Sequence, residues 1–149
     1  MVYTLFSMRV VLIVLGSVAG IVGIVVIGFA LLIARHSYNV SENAVKLESE
    51  YPLGRNVEKI LDRALELGAR EIDFQTIDGS TIYANDNELN PPEVRKDYSH
   101  RVLEIRDAIG KQLDYRIRFI LPGFMVERWI VWFEVREGKI AKVESRHVE

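Results

Sequence analysis

The sequence predicts an α+β protein: an N-terminal transmembrane helix, then a small antiparallel sheet of about five strands with one or two packed helices. Three observations predict it. Residues 10–34 form an apolar run without a charged residue, a proline, an asparagine or a glutamine. Two stretches in the middle of the chain have the apolar spacing of amphipathic helices. The last third alternates apolar and charged residues with period two, as half-buried strands do.

The apolar run divides the chain into four predicted segments. Residues 1–9 are a short N-terminal head, residues 10–35 the transmembrane helix, residues 36–52 a polar stalk that can continue the helix for some turns, and residues 53–149 the α+β domain. A helix over the run is about 37 Å long, which exceeds the ~30 Å hydrocarbon thickness of a bilayer and allows some tilt. The run is too long for the apolar core of a typical signal peptide, and no A-x-A site closes it. We therefore expect a retained single-pass anchor in the lipid bilayer.

Charge and cysteine content exclude several classes of protein. The chain carries 19 basic and 21 acidic residues, and only Arg9 and Arg35 precede residue 36. The part after the membrane helix therefore has a net charge of about −4, which argues against a nucleic-acid partner. There is no cysteine, so disulfides, thiolate metal sites and a lipidated cysteine are excluded. Because Arg9 and Arg35 flank the run on opposite sides, the positive-inside rule only weakly favours the N-terminus inside and the domain outside the cytoplasm.

Glycines lie near one face of the predicted membrane helix. Gly16 and Gly20 have the small-xxx-small spacing that lets two helix backbones approach closely, and Gly23 continues the face. These three residues are the candidates for helix packing, either in a homodimer or against another membrane protein. The alternative is that they reflect only the high frequency of glycine in membrane helices.

The first elements of the domain follow from apolar spacing and turn residues. Asn56 is a helix cap, an apolar stripe follows at helical spacing, and Gly68 is a natural stop, which predicts a helix over 56–67. Strands are predicted near 71–77 and 80–84, because Asp78-Gly79 between them is a strong hairpin signal.

The middle of the domain allows two interpretations. Residues 85–89 are a polar loop, and Asn90-Pro-Pro-Glu93 resembles a helix start with a cap, prolines in the first turn and an acid three positions on. Apolar residues then continue at helical spacing to Gly110. Because Leu103 and Ile105 also alternate, a strand over 102–109 competes with the helix.

The last third predicts three strands. Residues 115–121 alternate, Pro122-Gly123 turns the chain, residues 128–136 form a second strand, and Glu137-Gly138 turns the chain again. Residues 139–147 return as a charged edge strand, and such charge keeps a sheet from adding further strands.

Two groups of residues in these strands are candidates for partner contacts. Trp129 and Trp132 point to opposite faces, so at most one of them belongs to the core, and the other is free for a partner or for the membrane interface. Four arginines also fall on one face and could meet an anionic partner, or could be solvated and paired with Glu127, Glu134 and Glu144 across the strands. The four are Arg116, Arg118, Arg128 and Arg136.

The domain has the outline of a known type of envelope protein. A glycine precedes a Val-x-x-Ile-Leu helix, and a late hairpin reads W-x-V-W-F-x-V-x-x-G-K-I-x-x-V. It is similar to small bacterial single-pass membrane proteins with a short N-terminal anchor, and it loosely resembles the SmpA/OmlA type of small envelope assembly lipoprotein. The residues that carry the resemblance are Gly54, Val57, Ile60, Phe133, Gly138, Lys139 and Ile140. The resemblance implies a fold and no functional residue, and the chain departs from it by a spanning helix, an insertion over 85–114 and the missing cysteine.

No catalytic residue, cofactor site or metal site is predicted. The three histidines, His36, His100 and His147, are far apart in the chain and have no metal-ligand spacing. The acidic loop after Asp86 lacks the glycine and glutamate of a calcium loop, and the nucleotide and hydrolase motifs are missing.

The leading hypothesis is therefore a membrane-anchored, non-enzymatic binding or scaffold protein of the cell envelope. A pilin-like or secretion-system structural subunit is the alternative, although no processing site precedes the apolar run and no acid lies near its start. A membrane-tethered enzyme with a dispersed active site is the third hypothesis.

Overall fold

The computed structural model describes residues 2–86, 92–123 and 127–148, and the chain divides after His36 into two units. Unit 1 is Met1–His36 and unit 2 is Ser37–Glu149. The helices are α1 (Val2–Glu50), α2 (Ile60–Glu66) and α3 (Pro92–Lys111). The strands are β1 (Glu71–Thr76), β2 (Thr81–Asn85), β3 (Tyr115–Pro122), β4 (Arg128–Arg136) and β5 (Lys139–Val148). The predicted α+β class is confirmed.

Unit 1 consists of the N-terminal part of α1, which begins at Val2, so the predicted head is itself helical. Within the described residues, this is the one helix long and apolar enough to cross a membrane. Its most apolar window has a mean hydropathy of 2.7, and none of that window is buried within the chain. By length and composition, this helix is a candidate for a membrane anchor or a signal sequence.

The five strands form one antiparallel sheet in the order β2-β1-β3-β4-β5. The predicted β1–β2 hairpin is confirmed, and the Asp78 carboxylate accepts the Ser80 backbone N–H at 3.0 Å to close its turn. The predicted β4–β5 hairpin is also confirmed. Its two turn residues, Glu137 and Gly138, both have positive φ (51° and 72°), as a tight turn between twisted strands requires.

Helix α2 is shorter than the predicted 56–67. The backbone of residues 54–55 pairs with Ile140 at the start of β5 through two hydrogen bonds of 2.8 and 3.0 Å. This pairing holds the chain extended there, so Asn56 starts a turn, in which it accepts the Glu58 N–H at 2.9 Å, and the α-helix begins only at Ile60. The stop at Gly68 is confirmed by its φ of 96°.

The segment that allowed two interpretations is helical. In α3, Val102 and Ile105 are buried three residues apart, while Leu103 between them is 57% exposed, and this is the pattern of a helix and not of a strand. The predicted loop at 85–89 and the predicted cap at Asn90 fall mostly on residues 87–91, outside the described residues.

The predicted stalk at 36–52 differs from the structure. The last turns of α1, from Ser37 to Glu50, belong to unit 2, and they bury Val40, Ala44 and Leu47 in its core together with Tyr51 just beyond the helix. The spacing of four, three and four residues places these side chains on one helix face, which packs on the sheet. The segment is therefore a core element and not a spacer.

The core of unit 2 lies on one face of the sheet. Alternate side chains of β1, β3 and β4 point into it, among them Phe74, Phe119 and Phe133, and all three helices contribute buried residues to the same cluster. The opposite face carries most of the charged side chains of the strands. This pattern is typical of an antiparallel sheet that packs one face on the core and exposes the other to solvent.

Candidate functional site

Strand alternation gathers the charged side chains of the sheet on the face opposite the core. The register pairs Arg116 with Glu134 and Arg118 with Trp132 across β3 and β4, and Arg128 and Arg136 fall on the same side. We call this surface the open sheet face. Its side chains are those of Glu71, Asp73, Gln75, Thr81, Tyr83, Asn85, Arg116, Arg118, Ile120, Arg128, Ile130, Trp132, Glu134, Arg136, Lys142, Glu144 and Arg146. The predicted placement of the four arginines on one face is confirmed.

A groove of about 370 Å³ crosses four strands of the open sheet face, and strand residues alone line it. It follows two adjacent cross-strand rows. One row is Asp73, Arg118, Trp132 and Glu144; the other is Gln75, Arg116, Glu134 and Lys142. Four strands span about 14 Å and two residues along a strand about 7 Å, so the groove is long and narrow. Its volume lies within the range of small-molecule binding sites.

The charged side chains of the groove are paired with one another. Arg118 Nη2 lies 2.8 Å from Asp73 Oδ2, and Lys142 Nζ lies 2.6 Å from Glu144 Oε1. Arg116 is held more loosely, because its Nε lies 3.8 Å from Glu134 Oε2.

Glu134 is shared between two arginines. Its Oε1 accepts hydrogen bonds from Arg136 Nε at 3.0 Å and Nη2 at 2.7 Å, while its other oxygen faces Arg116. The hydrogen bonds from Arg136 lower the pKa of Glu134 below its ordinary value. Glu134 is therefore ionised at neutral pH, and the predicted solvated pairing of the arginines is confirmed for this acid. The other two predicted acids pair elsewhere: Glu127 accepts a hydrogen bond from Ser37, and Glu144 pairs with Lys142.

Two polar atoms of the Asp73–Arg118 pair are left without a partner. Within the described residues, Asp73 Oδ1 and Arg118 Nε are buried and make no hydrogen bond. The first is an acceptor and the second a donor, on side chains that line the groove. Buried polar atoms are rarely left unpaired, so the pair carries a desolvation cost that its one hydrogen bond offsets only in part.

Beside the groove, a buried carboxylate stabilises the edge of the sheet. Glu71 is only 6% exposed, and its Oε2 accepts a hydrogen bond of 2.9 Å from the Tyr83 hydroxyl. Arg128 Nη1 lies 3.8 Å from its other oxygen. Burial and the hydrogen bond to Glu71 raise the pKa of Tyr83, so the phenol keeps its proton at neutral pH. This cluster connects side chains of β1, β2 and β4 on the open sheet face.

The two tryptophans lie on opposite faces of β4, as predicted. Trp132 lines the groove, and the Arg146 guanidinium lies over its ring at 5.6 Å from the centroid. Trp129 packs against the edge of the core and stacks on His147 at 5.0 Å. Of the two predicted contact residues, the geometry therefore favours Trp132. Strand parity could have made this choice from the sequence, because Trp129 shares its face with Val131 and Phe133.

A second depression, of about 450 Å³, lies between α2, α3 and the β4–β5 turn. Its floor consists of apolar side chains at the margin of the core, such as Leu61 and Ile109, and the Arg106–Asp62 ion pair crosses its rim. Polar side chains also line it, among them Glu58, Gln112 and Lys139, so its lining is mixed.

The three predicted helix-packing glycines make no close contact within the chain. A Cβ added at Gly16, Gly20 or Gly23 would meet nothing within 4 Å apart from the helix itself. Their small size is therefore not required by packing inside the chain.

Among the described residues, no three histidine or acidic side chains converge in a way that could hold a metal ion. His100 lies 3.3 Å from Glu104 on the surface of α3, and His147 stacks on Trp129. Comparison with protein-family models, curated proteins and solved structures finds no match to this chain. The resemblance to SmpA/OmlA-type proteins therefore stays a prediction.

Proposed function

We propose that this chain is a single-pass membrane protein of the cell envelope whose unit 2 binds or scaffolds another envelope component, without catalysis of its own. The observation that carries the proposal is the open sheet face. All three helices supply core residues to one side of the sheet, while the other side presents a groove with Trp132 on its wall. An aromatic side chain among paired charges, outside the core, is typical of a recognition surface.

The proposed anchor is the apolar part of α1, with the N-terminus inside and unit 2 outside the cytoplasm. Its length and hydropathy support the anchor, and the flanking Arg9 supports the orientation only weakly. The chain has no cysteine, so single cysteines at Ser7 and at Ser99, which is exposed on α3, can report the two sides. We expect a membrane-impermeant maleimide to label only the second in intact cells. Release of the intact chain by carbonate washing would contradict the anchor, and the reverse labelling would contradict the orientation.

The binding role is tested by cross-linking from the groove. A photoreactive amino acid at position 132 is expected to form a discrete adduct in native membranes. The same amino acid at position 103, where Leu103 is exposed on α3, is the matched control and should form none of that adduct. An equal yield of the same adduct from both positions, or no adduct from position 132, would contradict the proposal.

Association of membrane helices through the Gly16/Gly20 face is part of the same proposal. Because an added Cβ meets nothing there, Gly16→Ile with Gly20→Ile should leave unit 2 folded while it separates packed helices. Gly28→Ile is the matched control, since Gly28 also has open space but lies outside this face. We expect the double variant to weaken association in micelles at least tenfold, about 1.4 kcal/mol, by a resonance-energy-transfer assay. If Gly28→Ile weakened association as much as the double variant, the Gly16/Gly20 face would not be the contact surface.

One observation favours the alternative of a pilin-like or secretion-system structural subunit. Helix α1 is continuous from Val2 to Glu50, and its last turns are core residues of a domain with an antiparallel sheet. The mass of the mature chain discriminates between the two proposals. Removal of N-terminal residues before the apolar run would favour the structural subunit, and an intact N-terminus would favour the anchored binding protein.

A further inference from the structure

The open sheet face carries more basic than acidic side chains. Six of its side chains are basic and four are acidic, so its formal charge is +2. Residues 37–149 together have 17 basic and 21 acidic residues, so the remainder of unit 2 has a formal charge of −6. The basic side chains of the face are Arg116, Arg118, Arg128, Arg136, Lys142 and Arg146, and the acidic ones are Glu71, Asp73, Glu134 and Glu144. The face is therefore a positive surface on an otherwise acidic unit.

The basic side chains of the face are more exposed than the acids that they contact. The side chain of Arg116 is 69% exposed and that of Glu134 only 24%, while Arg128 is 47% exposed and Glu71 only 8%. The same order holds for the contacts Arg118–Asp73, Arg136–Glu134 and Lys142–Glu144. The long basic side chains keep their charged ends in water, whereas the acids lie closer to the backbone. A partner that approaches this face therefore meets the cations first.

Three of the arginines are not tightly bound to any acid. Arg116 and Arg128 each lie 3.8 Å from a carboxylate, and each of those carboxylates accepts a shorter hydrogen bond from another side chain. Arg146 lies over the ring of Trp132 and has no ion pair among the described residues. Guanidinium groups form strong, charge-assisted hydrogen bonds with carboxylates. These three arginines can therefore bind an incoming carboxylate without first breaking a close ion pair.

The groove offers cations on both of its sides. Arg118 lies in one of its two cross-strand rows, and Arg116 and Lys142 lie in the other. An extended segment along the groove would direct successive side chains to opposite sides, and about four residues would span its ~14 Å. Two or three acids in such a segment could each reach a basic side chain, while an apolar neighbour contacts Trp132.

The distribution of charge favours a short acidic segment over a long polyanion. A nucleic acid or an anionic membrane surface extends beyond the open sheet face and would also meet the acidic remainder of unit 2. A short segment confined to the face meets mainly its positive charge, because exposed charges farther away than the Debye length, ~10 Å at 0.1 M salt, are largely screened.

We propose that the open sheet face binds a short, extended acidic segment of a partner protein, with its carboxylates against the basic side chains and an apolar residue against Trp132. This inference rests on the proposed binding role of the face and names the chemistry of the partner. Arg116 and Arg146 contribute most to the attraction, because neither is tightly bound to an acid.

The test uses the full chain in polyoxyethylene micelles and a labelled peptide in which glutamates alternate with serines around a central leucine. By fluorescence anisotropy, we expect a dissociation constant on the order of 0.1 mM or tighter at about 0.05 M salt. Raising the salt to about 0.5 M should weaken binding at least fivefold, because the charges of the face are exposed. The same peptide with glutamine in place of glutamate is the matched probe and should bind at least tenfold more weakly.

Two double variants of equal charge locate the binding. Arg116→Gln with Arg146→Gln should weaken binding of the glutamate peptide at least tenfold. Arg101→Gln with Arg106→Gln on α3 changes the net charge equally, away from the face, and should alter binding less than twofold. If the first double variant shifts the urea midpoint, the single variant Arg146→Gln replaces it, because it breaks no ion pair, and should weaken binding at least threefold.

Four results would overturn the inference. The two peptides bind equally well, the two double variants have equal effects, or the glutamate peptide does not bind up to about 1 mM. The fourth is that a short polyphosphate, or phosphatidylglycerol in the micelles, binds at least tenfold more tightly than the glutamate peptide. In each case, a discrete adduct from position 132 in native membranes would leave the binding role intact and reject only the acidic segment. Without that adduct, the binding role fails as well.

Discussion

Leu47 tests whether the end of α1 is part of the core. Its side chain is fully buried in the cluster that joins α1 to the sheet. Leu47→Ala removes three carbon atoms, which corresponds to about 2.4 kcal/mol of lost transfer free energy at ~0.8 kcal/mol each. The cavity that remains adds to this, so we expect the free energy of unfolding to fall by about 2–5 kcal/mol.

Val45 provides the matched control on the same helix. It lies two residues away and is 55% exposed, so Val45→Ala should change the free energy of unfolding by no more than about 0.5 kcal/mol. Both variants are measured by urea unfolding of the full chain in polyoxyethylene micelles, with tryptophan emission as the signal. The dependence of the free energy on urea should stay constant, so that the midpoint alone moves.

The opposite result would refute this account of the core. If residues 36–52 were a solvated spacer, both substitutions would be nearly neutral and indistinguishable. A loss below about 1 kcal/mol for Leu47→Ala, or an equal loss for Val45→Ala, is incompatible with a fully buried leucine in a packed cluster.

Three further substitutions test single contacts by the same unfolding measurement. The guanidinium of Arg63 donates hydrogen bonds of 2.6 and 2.7 Å to the Glu50 carboxylate and lowers the pKa of Glu50. The stabilisation that this pair gives the folded state is therefore complete above the ordinary carboxyl pKa. It is lost as the pH falls through the lowered pKa. Glu50→Gln should therefore destabilise at pH 7, and its difference from the wild type should shrink as the pH falls through the lowered pKa of Glu50. Glu58→Gln, whose side chain has no ion pair among the described residues, should match the wild type at every pH. A Glu50→Gln difference that persists in strong acid would contradict the linkage. Glu137→Asn should stabilise by about 0.5 kcal/mol, because asparagine adopts the positive φ of this turn more readily, and a loss of stability would refute that. Tyr115→Phe removes a buried hydroxyl without a hydrogen-bond partner among the described residues and should be neutral or stabilising, so a cost above about 1 kcal/mol would reveal a partner.

Local signals predicted most elements of unit 2 from the sequence. The Asp78-Gly79 turn, the Glu137-Gly138 turn and the alternation along β3 and β4 are short-range features, and the structure has each of them within one or two residues of the prediction. The start of α2 was missed because it depends on pairing with Ile140, which is far away in the chain. The spacing of apolar residues near Asn56 does not reveal such long-range pairing.

The stalk was misassigned for a different reason. Val40, Ala44 and Leu47 have the spacing of a buried helix face, but the segment is polar overall and its middle core residue is an alanine. Alanine gives little hydrophobic signal, although Ala44 is fully buried here. The exposed Val45 further blurred the pattern, because it is as apolar as the residues that face the core.

The site was predictable only in part. Strand alternation placed Arg116, Arg118 and Trp132 on definite faces, and this prediction needed no tertiary information. The groove could not be predicted without the strand order. That order places Asp73 of β1 beside Arg118 of β3, although a long segment that contains α3 separates the two residues in the chain. The pairing of these charges across the strands is likewise a property of the register.

Under the proposed binding role, the ion pairs of the groove matter more for recognition than for stability. Exposed pairs such as Lys142–Glu144 contribute about 0–1 kcal/mol each, so the fold does not depend on them. Their effect is to restrict long side chains that would otherwise lose rotamer freedom when a ligand binds. The backbone below them is fixed by hydrogen bonds between four strands and by the core on the other side. If the groove binds a partner as proposed, that partner meets paired side chains on a backbone that the sheet already holds in place.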